Sequence, residues 1–131
     1  MAQGSFGLIL ANRAVVLGAI KARDLLDQAE QAEASGVFDS VWVGDSLLAK
    51  PRLESITLLS ALAGVTTKLR LGVGCMATFV HRHPVMLAHQ WASLDVLSSG
   101  RTLLSSNQSY PILKGTTRAL RMGYRESTAF P

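Results

Sequence analysis

Three histidines, His81, His83 and His89, lie close together in the sequence, and histidine is the commonest protein ligand for transition metals. A metal site would require these imidazoles to converge with a carboxylate. His83 and His89 are six residues apart, which places them on different faces of a helix, and no His-Glu-x-x-His motif is present. Because Pro84 suits the first position of a helix, we place His83 at the N-cap and predict no metal site.

Phosphate-binding and disulfide chemistry are not indicated either. The segment ANRAVVLGA (11–19) follows the first apolar run and contains neither a G-x-G-x-x-G motif nor a P-loop. The single cysteine, Cys75, excludes an internal disulfide framework and fits a reducing compartment. No apolar run has the length of a membrane span, and the N-terminus lacks a signal-peptide pattern. We therefore expect a cytoplasmic protein that does not interact with membranes.

The positive charge is confined to one end of the sequence. The formal net charge is +4, and residues 1–100 contribute nothing to it, because their basic and acidic groups are equal in number. From Arg101 onward, five basic residues face one acidic residue, Glu126. Since these basic residues are scattered, we interpret this end as a solvated tail and expect no nucleic-acid partner.

Alternating strands and helices are predicted for most of the chain. Apolar runs typical of strands occur at 6–10, 40–44, 69–74 and, less completely, 101–105. Helical apolar stripes and their stop signals predict helices near 20–35, 52–64 and 84–98. Strands that start about thirty residues apart, with a helix in each gap, indicate βα units on a parallel sheet in sequential order.

Two architectures are built from such units. A doubly wound sheet would suit a chain of 131 residues, whereas a (β/α)₈ barrel typically needs about 250. The long segments after the second and third strands, 45–51 and 75–84, favour the barrel, because barrel enzymes build their sites from such loops. We therefore predict an α/β fold, half of a TIM-type barrel with parallel strands that is truncated after about strand 4.

The order of motifs resembles the N-terminal half of the luciferase-like flavin and deazaflavin oxidoreductases. This family includes bacterial luciferase and the dehydrogenases that use coenzyme F-420. The matching segments include FDSVWVGDSLLAKPRLESITLLSALAGVT (38–66), KLRLGVG (68–74) and RHPVMLAHQWASLDVLSSGR (82–101). The last segment is the most specific, because it joins His-Pro, Leu-Asp and Ser-x-Gly-Arg at fixed offsets. The resemblance implies that residues 1–104 form the N-terminal half of a barrel, in which Asp95 and Arg101 are structural.

The resemblance also implies where a cofactor would bind. In the family, an irregular segment just after the third strand backs the flavin ring, often with a non-proline cis peptide. Counting back from the His-Pro pair places this segment at Cys75, Met76 and Ala77, whose small or soft side chains suit the close approach of a flat ring. The same residues are equally compatible with an ordinary apolar strand end.

The mouth of the implied active site would also include residues that follow the first two strands. The family commonly has an acidic residue and then a histidine after strand 2, where this sequence has Asp45 and Ser46. Ser46 can exchange hydrogen bonds but cannot be a general acid near neutral pH, so the histidine-dependent chemistry is not expected. Asn12, after strand 1, would face the same mouth. Asp45 is equally compatible with a carboxylate that orders its loop, whereas for Asn12 the role of a turn residue is favoured.

The function that the resemblance implies is reduction or monooxygenation of a small organic substrate. The cofactor would be reduced flavin mononucleotide (FMN) or coenzyme F-420, without a metal. The alternative is a truncated, catalytically silent fragment, because the sequence turns polar after Leu104 where the family continues with an apolar, glycine-rich strand. We expect residues 105–131 to be an atypical, poorly ordered tail. An open half-barrel would need a homodimer or a complementary barrel half as its partner.

Overall fold

Strands and helices alternate through the part of the chain that the computed structural model describes, residues 5–47 and 50–105. Its strands are β1 (Gly7–Leu10), β2 (Ser40–Gly44), β3 (Arg70–Gly74) and β4 (Thr102–Leu104). Its helices are α1 (Asn12–Val16), α2 (Ala22–Ser35), α3 (Ser55–Val65) and α4 (Pro84–Leu97), with a 3₁₀ helix at Ala77–His81 between β3 and α4. The strands of this part are parallel and pair in the order β1-β2-β3-β4.

The sequential strand order confirms the predicted half-barrel. A doubly wound sheet would place β1 between β2 and β3, whereas β1 pairs only with β2 among the described residues. Four parallel strands are half of the number in a closed (β/α)₈ barrel. Most of the predicted tail, residues 106–131, lies outside the described residues.

The helices cover one face of the sheet and form the core with it. Five strand side chains that point to the helices are fully buried: Leu10, Val41, Val43, Leu71 and Val73. The stripe predicted for the last helix, Leu87, Trp91 and Leu94, is buried as expected. None of the helices among the described residues combines the length and apolar character that crossing a bilayer requires.

Two short helices and one helix start differ from the sequence prediction. The helix α1 and the 3₁₀ helix lie in segments interpreted as loops, because five residues are too few to show an apolar stripe. Helix α3 begins at Ser55 rather than near residue 52. The carboxylate of Glu54 sets this start, since it accepts hydrogen bonds from the backbone N–H groups of Ile56 (3.2 Å) and Thr57 (2.6 Å).

Arg101 connects the end of α4 with the ends of α3 and β3. Its guanidinium donates to five oxygens: the carbonyls of Ser98 (2.7 Å), Leu69 (2.7 Å), Thr66 (2.8 Å) and Ala63 (3.2 Å), and Thr66 Oγ1 (3.0 Å). Asp95 does not pair with Arg101 but accepts a hydrogen bond from the hydroxyl of Thr102. Both residues therefore have the structural role that the resemblance implies.

Glu33, at the end of α2, holds the segment that leads into β3. Its carboxylate accepts hydrogen bonds from the backbone N–H groups of Thr67 (2.9 Å), Lys68 (3.1 Å) and Leu69 (3.2 Å) and from the Thr67 hydroxyl (2.7 Å). Burial raises the pKa of Glu33, but the hydrogen bonds from Thr67, Lys68 and Leu69 outweigh it and lower that pKa from 4.5 to about 2.

The lowered pKa of Glu33 predicts a loss of stability in acid. Its folded-state pKa lies below the unfolded value, so its contribution is complete above pH 4.5 and disappears as the pH falls toward 2. The carboxylate is partly solvated, so we expect this contribution to be about 1–2 kcal/mol. The free energies of unfolding of Glu33→Gln and of the unchanged chain, measured by urea denaturation, should therefore converge as the pH falls from 4.5 to 2. A constant difference across that range would contradict the assignment.

The face of the sheet opposite the helices is called the inner face here, because it would line the interior of a closed barrel. Its central side chain is Trp42, whose indole N–H donates to Ser40 Oγ (2.9 Å). Two glycines make room for this ring: a Cβ would lie 2.6 Å from Trp42 Nε1 at Gly7 and 2.5 Å from Trp42 Cζ3 at Gly72. Ile9, on the same face, is 76% exposed.

Two glycine-to-alanine substitutions are expected to have opposite effects. Gly72→Ala forces a methyl group into Trp42 and should lower the free energy of unfolding by about 1–3 kcal/mol. Gly64→Ala, in α3, meets no atom within 4 Å and should raise it by about 0.5–1 kcal/mol through helix propensity. Thermal or urea denaturation of the two variants measures both effects. Equal stability of the two variants would show that Trp42 does not lie against Gly72.

Candidate active site at the carboxyl edge of the sheet

The carboxyl ends of β1, β2 and β3 bring the predicted site residues to one edge of the sheet. Leu10 pairs with Val43, and Gly44 pairs with Gly74, so the strands end almost level. Asn12, Asp45 and the segment from Cys75 to Ala77 follow these ends directly. In α/β folds, ligands bind outside the carboxyl ends of parallel strands, so this edge is the candidate active site.

Asp45 orders the loops at this edge. It is 9% exposed, and both of its carboxylate oxygens accept hydrogen bonds. Oδ1 accepts from the Ser55 hydroxyl (3.0 Å), and Oδ2 accepts from the backbone N–H (2.7 Å) and hydroxyl (2.8 Å) of Thr78. The carboxylate thereby ties the end of β2 to the first residue of α3 and to the 3₁₀ helix.

Arg82 extends this network toward solvent. Its guanidinium donates to Thr78 Oγ1 (2.8 Å) and Glu54 Oε1 (2.6 Å) and lies 3.5 Å from Asp45 Oδ1. Burial raises the pKa of Glu54, but hydrogen bonds from Thr57, Arg82 and Ile56 together hold it below its ordinary value. The cap of α3 and the loop after β3 are therefore joined by charge-assisted hydrogen bonds.

The site residues predicted from the sequence do not include Arg82, Glu54 or Thr78. The opposite charges of Arg82 and Asp45 could have predicted their contact, because the two residues follow neighbouring strands that end at the same edge of the sheet. The contact between Asp45 and Thr78 could not be predicted in this way, because it depends on the 3₁₀ helix, which the apolar pattern of the sequence does not indicate.

The segment predicted to back a cofactor ring turns sharply at Cys75. The Cys75 N–H donates to the carbonyl of Val73 (3.0 Å), and Cys75 has a φ of 70°, which is uncommon for a residue with a side chain. No peptide bond among the described residues is cis, so the cis peptide implied by the resemblance is not observed; the left-handed Cys75 makes the turn instead. Such conformations cost about 1–3 kcal/mol and concentrate at functional sites.

The three residues of this segment differ in exposure. Met76 is 8% exposed and packs in the core, so its side chain supports the turn from below. Cys75 is half-buried and Ala77 is exposed. The surface of the segment therefore consists of the small Cys75 and Ala77 side chains and the backbone between them.

Asn12 and Ser46 are both engaged with backbone groups. Asn12 is fully buried and donates from Nδ2 to the carbonyls of Gly44 (2.8 Å) and Leu53 (3.2 Å). Ser46 is half-buried, and its hydroxyl accepts from the N–H of Lys50 (3.3 Å). Asn12 thus fastens the end of β2, and Ser46 orders its own loop.

The histidines do not converge. His81 ends the 3₁₀ helix, His83 is the N-cap of α4 without a side-chain hydrogen bond to it, and His89 is exposed on α4. Over residues 5–47 and 50–105, no three His, Cys, Asp or Glu side chains are grouped so that they could hold a metal ion.

Two curated proteins are similar to this chain over about 60% of its length. N-acetyl-S-(2-succino)cysteine monooxygenase of Bacillus subtilis (strain 168) is 36% identical over 86 residues, which are 60% of this chain and 19% of that protein. The F420-dependent glucose-6-phosphate dehydrogenase of Amycolatopsis mediterranei (strain U-32) is 32% identical over 88 residues, 63% of this chain and 26% of that protein. The alignments thus span about a fifth to a quarter of these relatives.

A solved structure shares the fold. It is the oxygenating constituent of 3,6-diketocamphane monooxygenase from the CAM plasmid of Pseudomonas putida, a type II Baeyer-Villiger monooxygenase in complex with FMN. The TM-score is 0.59 at 19% identity, over 86% of this chain and 32% of that protein. The family model for "Luciferase-like monooxygenase" matches residues 4–106, which are most of the sequence. This chain therefore belongs to the family of luciferase-like monooxygenases.

Proposed function

We propose that this chain forms part of a flavin- or deazaflavin-dependent oxidoreductase that reduces or oxygenates a small organic molecule. The observation that carries the proposal is the left-handed turn at Cys75, at the carboxyl edge of the sheet. Family membership supports it, as does the use of F420 by one relative and the FMN bound to the similar structure. When bound, such a cofactor supplies hydride transfer or oxygen activation.

The residues at the turn fit a flat tricyclic ring. Gly74 and Ala77 are exposed and Cys75 is half-buried, so only small side chains stand between the backbone and a ring placed on it. We assign the ring contact to the Cys75–Ala77 backbone and the Ala77 side chain, with Met76 as the support beneath. Asp45, Thr78 and Arg82 are positioning residues, because they hold the 3₁₀ helix that follows the turn.

Ser46 limits the proton chemistry that this part of the protein can perform. Its hydroxyl accepts a hydrogen bond from Lys50, and it is not an acid near neutral pH. We therefore propose that Ser46 contributes a hydrogen bond at most, and that the protons for the reaction come from solvent or from other parts of the barrel.

The inner face also requires a cover. Ile9 is largely exposed there, and β1 and β4 have no outer neighbour among the described residues. We propose that further barrel strands pair with these edges, supplied by a second copy of the chain or by a complementary half. Light scattering of the purified chain should therefore show a species larger than a monomer, and a homogeneous monomer would contradict this proposal.

Weak cofactor binding by the chain on its own is expected. Barrel enzymes often hold the cofactor phosphate with loops after strands 7 and 8, and the described residues contain no equivalent. Flavin fluorescence titration of the chain with FMN and calorimetry with coenzyme F-420 should give dissociation constants weaker than about 1 µM. Sub-micromolar binding with steady turnover by a monomer would show that the described half suffices.

The assignment of the ring contact is tested by a matched pair of substitutions. Ala77→Leu should block the approach of the ring and weaken FMN binding by at least about tenfold, a steric loss of about 1.4 kcal/mol. Ala61→Leu, at an exposed position of α3, should leave binding unchanged. If both variants bind FMN like the unchanged chain, the ring does not lie on this turn. If no flavin or deazaflavin binds even when a complementary half is supplied, the catalytically silent fragment is favoured.

A further inference from the structure

Arg52 lies across the last residue of β2 on the inner face. A Cβ added to Gly44 would be 2.7 Å from Arg52 Nη1, 2.9 Å from Cζ and 3.1 Å from Nε. Because side chains alternate along a strand, this direction is the one that Trp42 takes, away from the helices. The absence of a side chain at Gly44 thus lets the guanidinium lie against the backbone at the carboxyl edge of the sheet.

The guanidinium of Arg52 has no acceptor among the described residues. Its Nε is buried without a hydrogen-bond partner, and the ion pairs of the described residues involve Arg23 and Arg82 instead. The carboxylates of Asp45, the residue after Gly44, and of Glu54 accept hydrogen bonds from other donors. An arginine is always charged and carries five donors, and the buried Nε of Arg52 is a donor that a ligand could satisfy.

A second buried group at Gly44 also lacks a partner. Asn12 is 0% exposed and donates to the Gly44 carbonyl, while its Oδ1 has no hydrogen-bond donor within the described residues. The remaining buried side-chain nitrogen or oxygen without a partner among the described residues is Nε of Arg13, the residue after Asn12. These three side chains belong to the segments that follow β1 and β2, on the side of the sheet at which ligands bind in this fold.

We propose that Arg52 binds an anionic group of the substrate, a carboxylate or a phosphate, and thereby determines specificity for acidic substrates. This inference rests on the proposed function, since it places the substrate in the mouth of the same barrel. Carboxylate and phosphate oxygens are the acceptors that match the fork of a guanidinium, and two parallel N–H···O bonds would fix the orientation of the substrate. Arg82, the arginine that follows β3, already pairs with Asp45 and Glu54, so it is less available for such a group than Arg52.

The test uses the full chain and two simple anions, inorganic phosphate and succinate, with chloride added to hold the ionic strength constant. Binding is followed by nuclear magnetic resonance titration or calorimetry. We expect saturable binding of at least one anion with a dissociation constant on the order of 1 mM, and at least about tenfold weaker binding by Arg52→Gln. Arg23→Gln, at an exposed arginine of α2 that pairs with Asp27, should bind like the unchanged chain. The identity of the better anion assigns the substrate class.

A second variant separates the loss of the site from a loss of folding. Gly44→Ala would push the guanidinium away from the strand while Arg52 itself remains, and the side chain is flexible enough to move. We expect it to weaken anion binding with little change in the circular dichroism spectrum. Equal anion binding by the unchanged chain and Arg52→Gln, or no binding of either anion by the unchanged chain, overturns the proposal.

Flavin binding distinguishes the substrate from the cofactor as the source of the anion. If Arg52 serves the substrate, Arg52→Gln should change the affinities for FMN and for riboflavin, which lacks the phosphate, by less than about twofold. Weaker binding of FMN alone would assign Arg52 to the cofactor phosphate and overturn the substrate assignment. Anion binding without flavin binding would refute the proposed function, whereas flavin binding without anion binding would refute only the role of Arg52.

Discussion

Arg101→Met is expected to lower the free energy of unfolding by about 3–5 kcal/mol, the largest effect predicted for this protein. The guanidinium satisfies carbonyl groups at the C-terminal end of α3 and the start of β3, including those of Ala63, Thr66 and Leu69. Methionine fills similar space but leaves these carbonyls without donors. It also removes a positive charge from the negative end of the α3 dipole.

Two further variants are compared with Arg101→Met. One replaces Arg101 by lysine, and the other replaces an exposed arginine, Arg23, by methionine. Arg101→Lys keeps the charge but loses the forked donors, so about half of the loss should remain. Arg23→Met removes an ion pair between exposed side chains on α2 and should cost about 0–1 kcal/mol. Urea denaturation followed by tryptophan fluorescence gives the three values. If Arg101→Met were as stable as Arg23→Met, the hydrogen bonds of Arg101 would have no net effect on folding.

Asp45→Asn should lower the free energy of unfolding by about 2–4 kcal/mol and weaken any ligand binding at the carboxyl edge. An amide has the size of a carboxylate, but one of its two positions is a donor. It cannot accept from the Thr78 N–H and hydroxyl on one side and from the Ser55 hydroxyl on the other without a rearrangement. The 3₁₀ helix that follows the Cys75 turn would then lose its anchor on β2.

A double-mutant cycle of Asp45→Asn and Thr78→Val tests whether the loss of stability comes from the contact between these two residues. Thr78→Val removes one donor to Asp45, and the combined variant should be less destabilised than the sum of the two single changes by about 1 kcal/mol or more. Asp27→Asn, at an exposed ion pair of α2, is the control and should cost less than about 1 kcal/mol. Additive effects in the cycle would show that the Asp45–Thr78 contact does not stabilise the fold.

The sequence by itself determined the alternation of strands and helices and their order. Apolar stripes such as Leu87, Trp91 and Leu94 report which side of a helix is buried, because the helical repeat puts them on one face. The spacing of about thirty residues between strand starts then required parallel strands. The segment from the His-Pro pair to Gly-Arg, residues 82–101, indicated the family whose model matches residues 4–106. The structural role of Arg101 followed from the same motif.

Only the tertiary structure decided how the carboxyl edge is built. The contacts of Asp45 with Thr78, and the approach of Arg52 to Gly44, join residues from different loops. Apolar periodicity describes burial along one element and carries no information about such polar contacts. The left-handed Cys75 and the five-residue helices are likewise too short to produce a pattern. Their conformations are set by hydrogen bonds and packing between distant segments, which exist only once the strands are side by side.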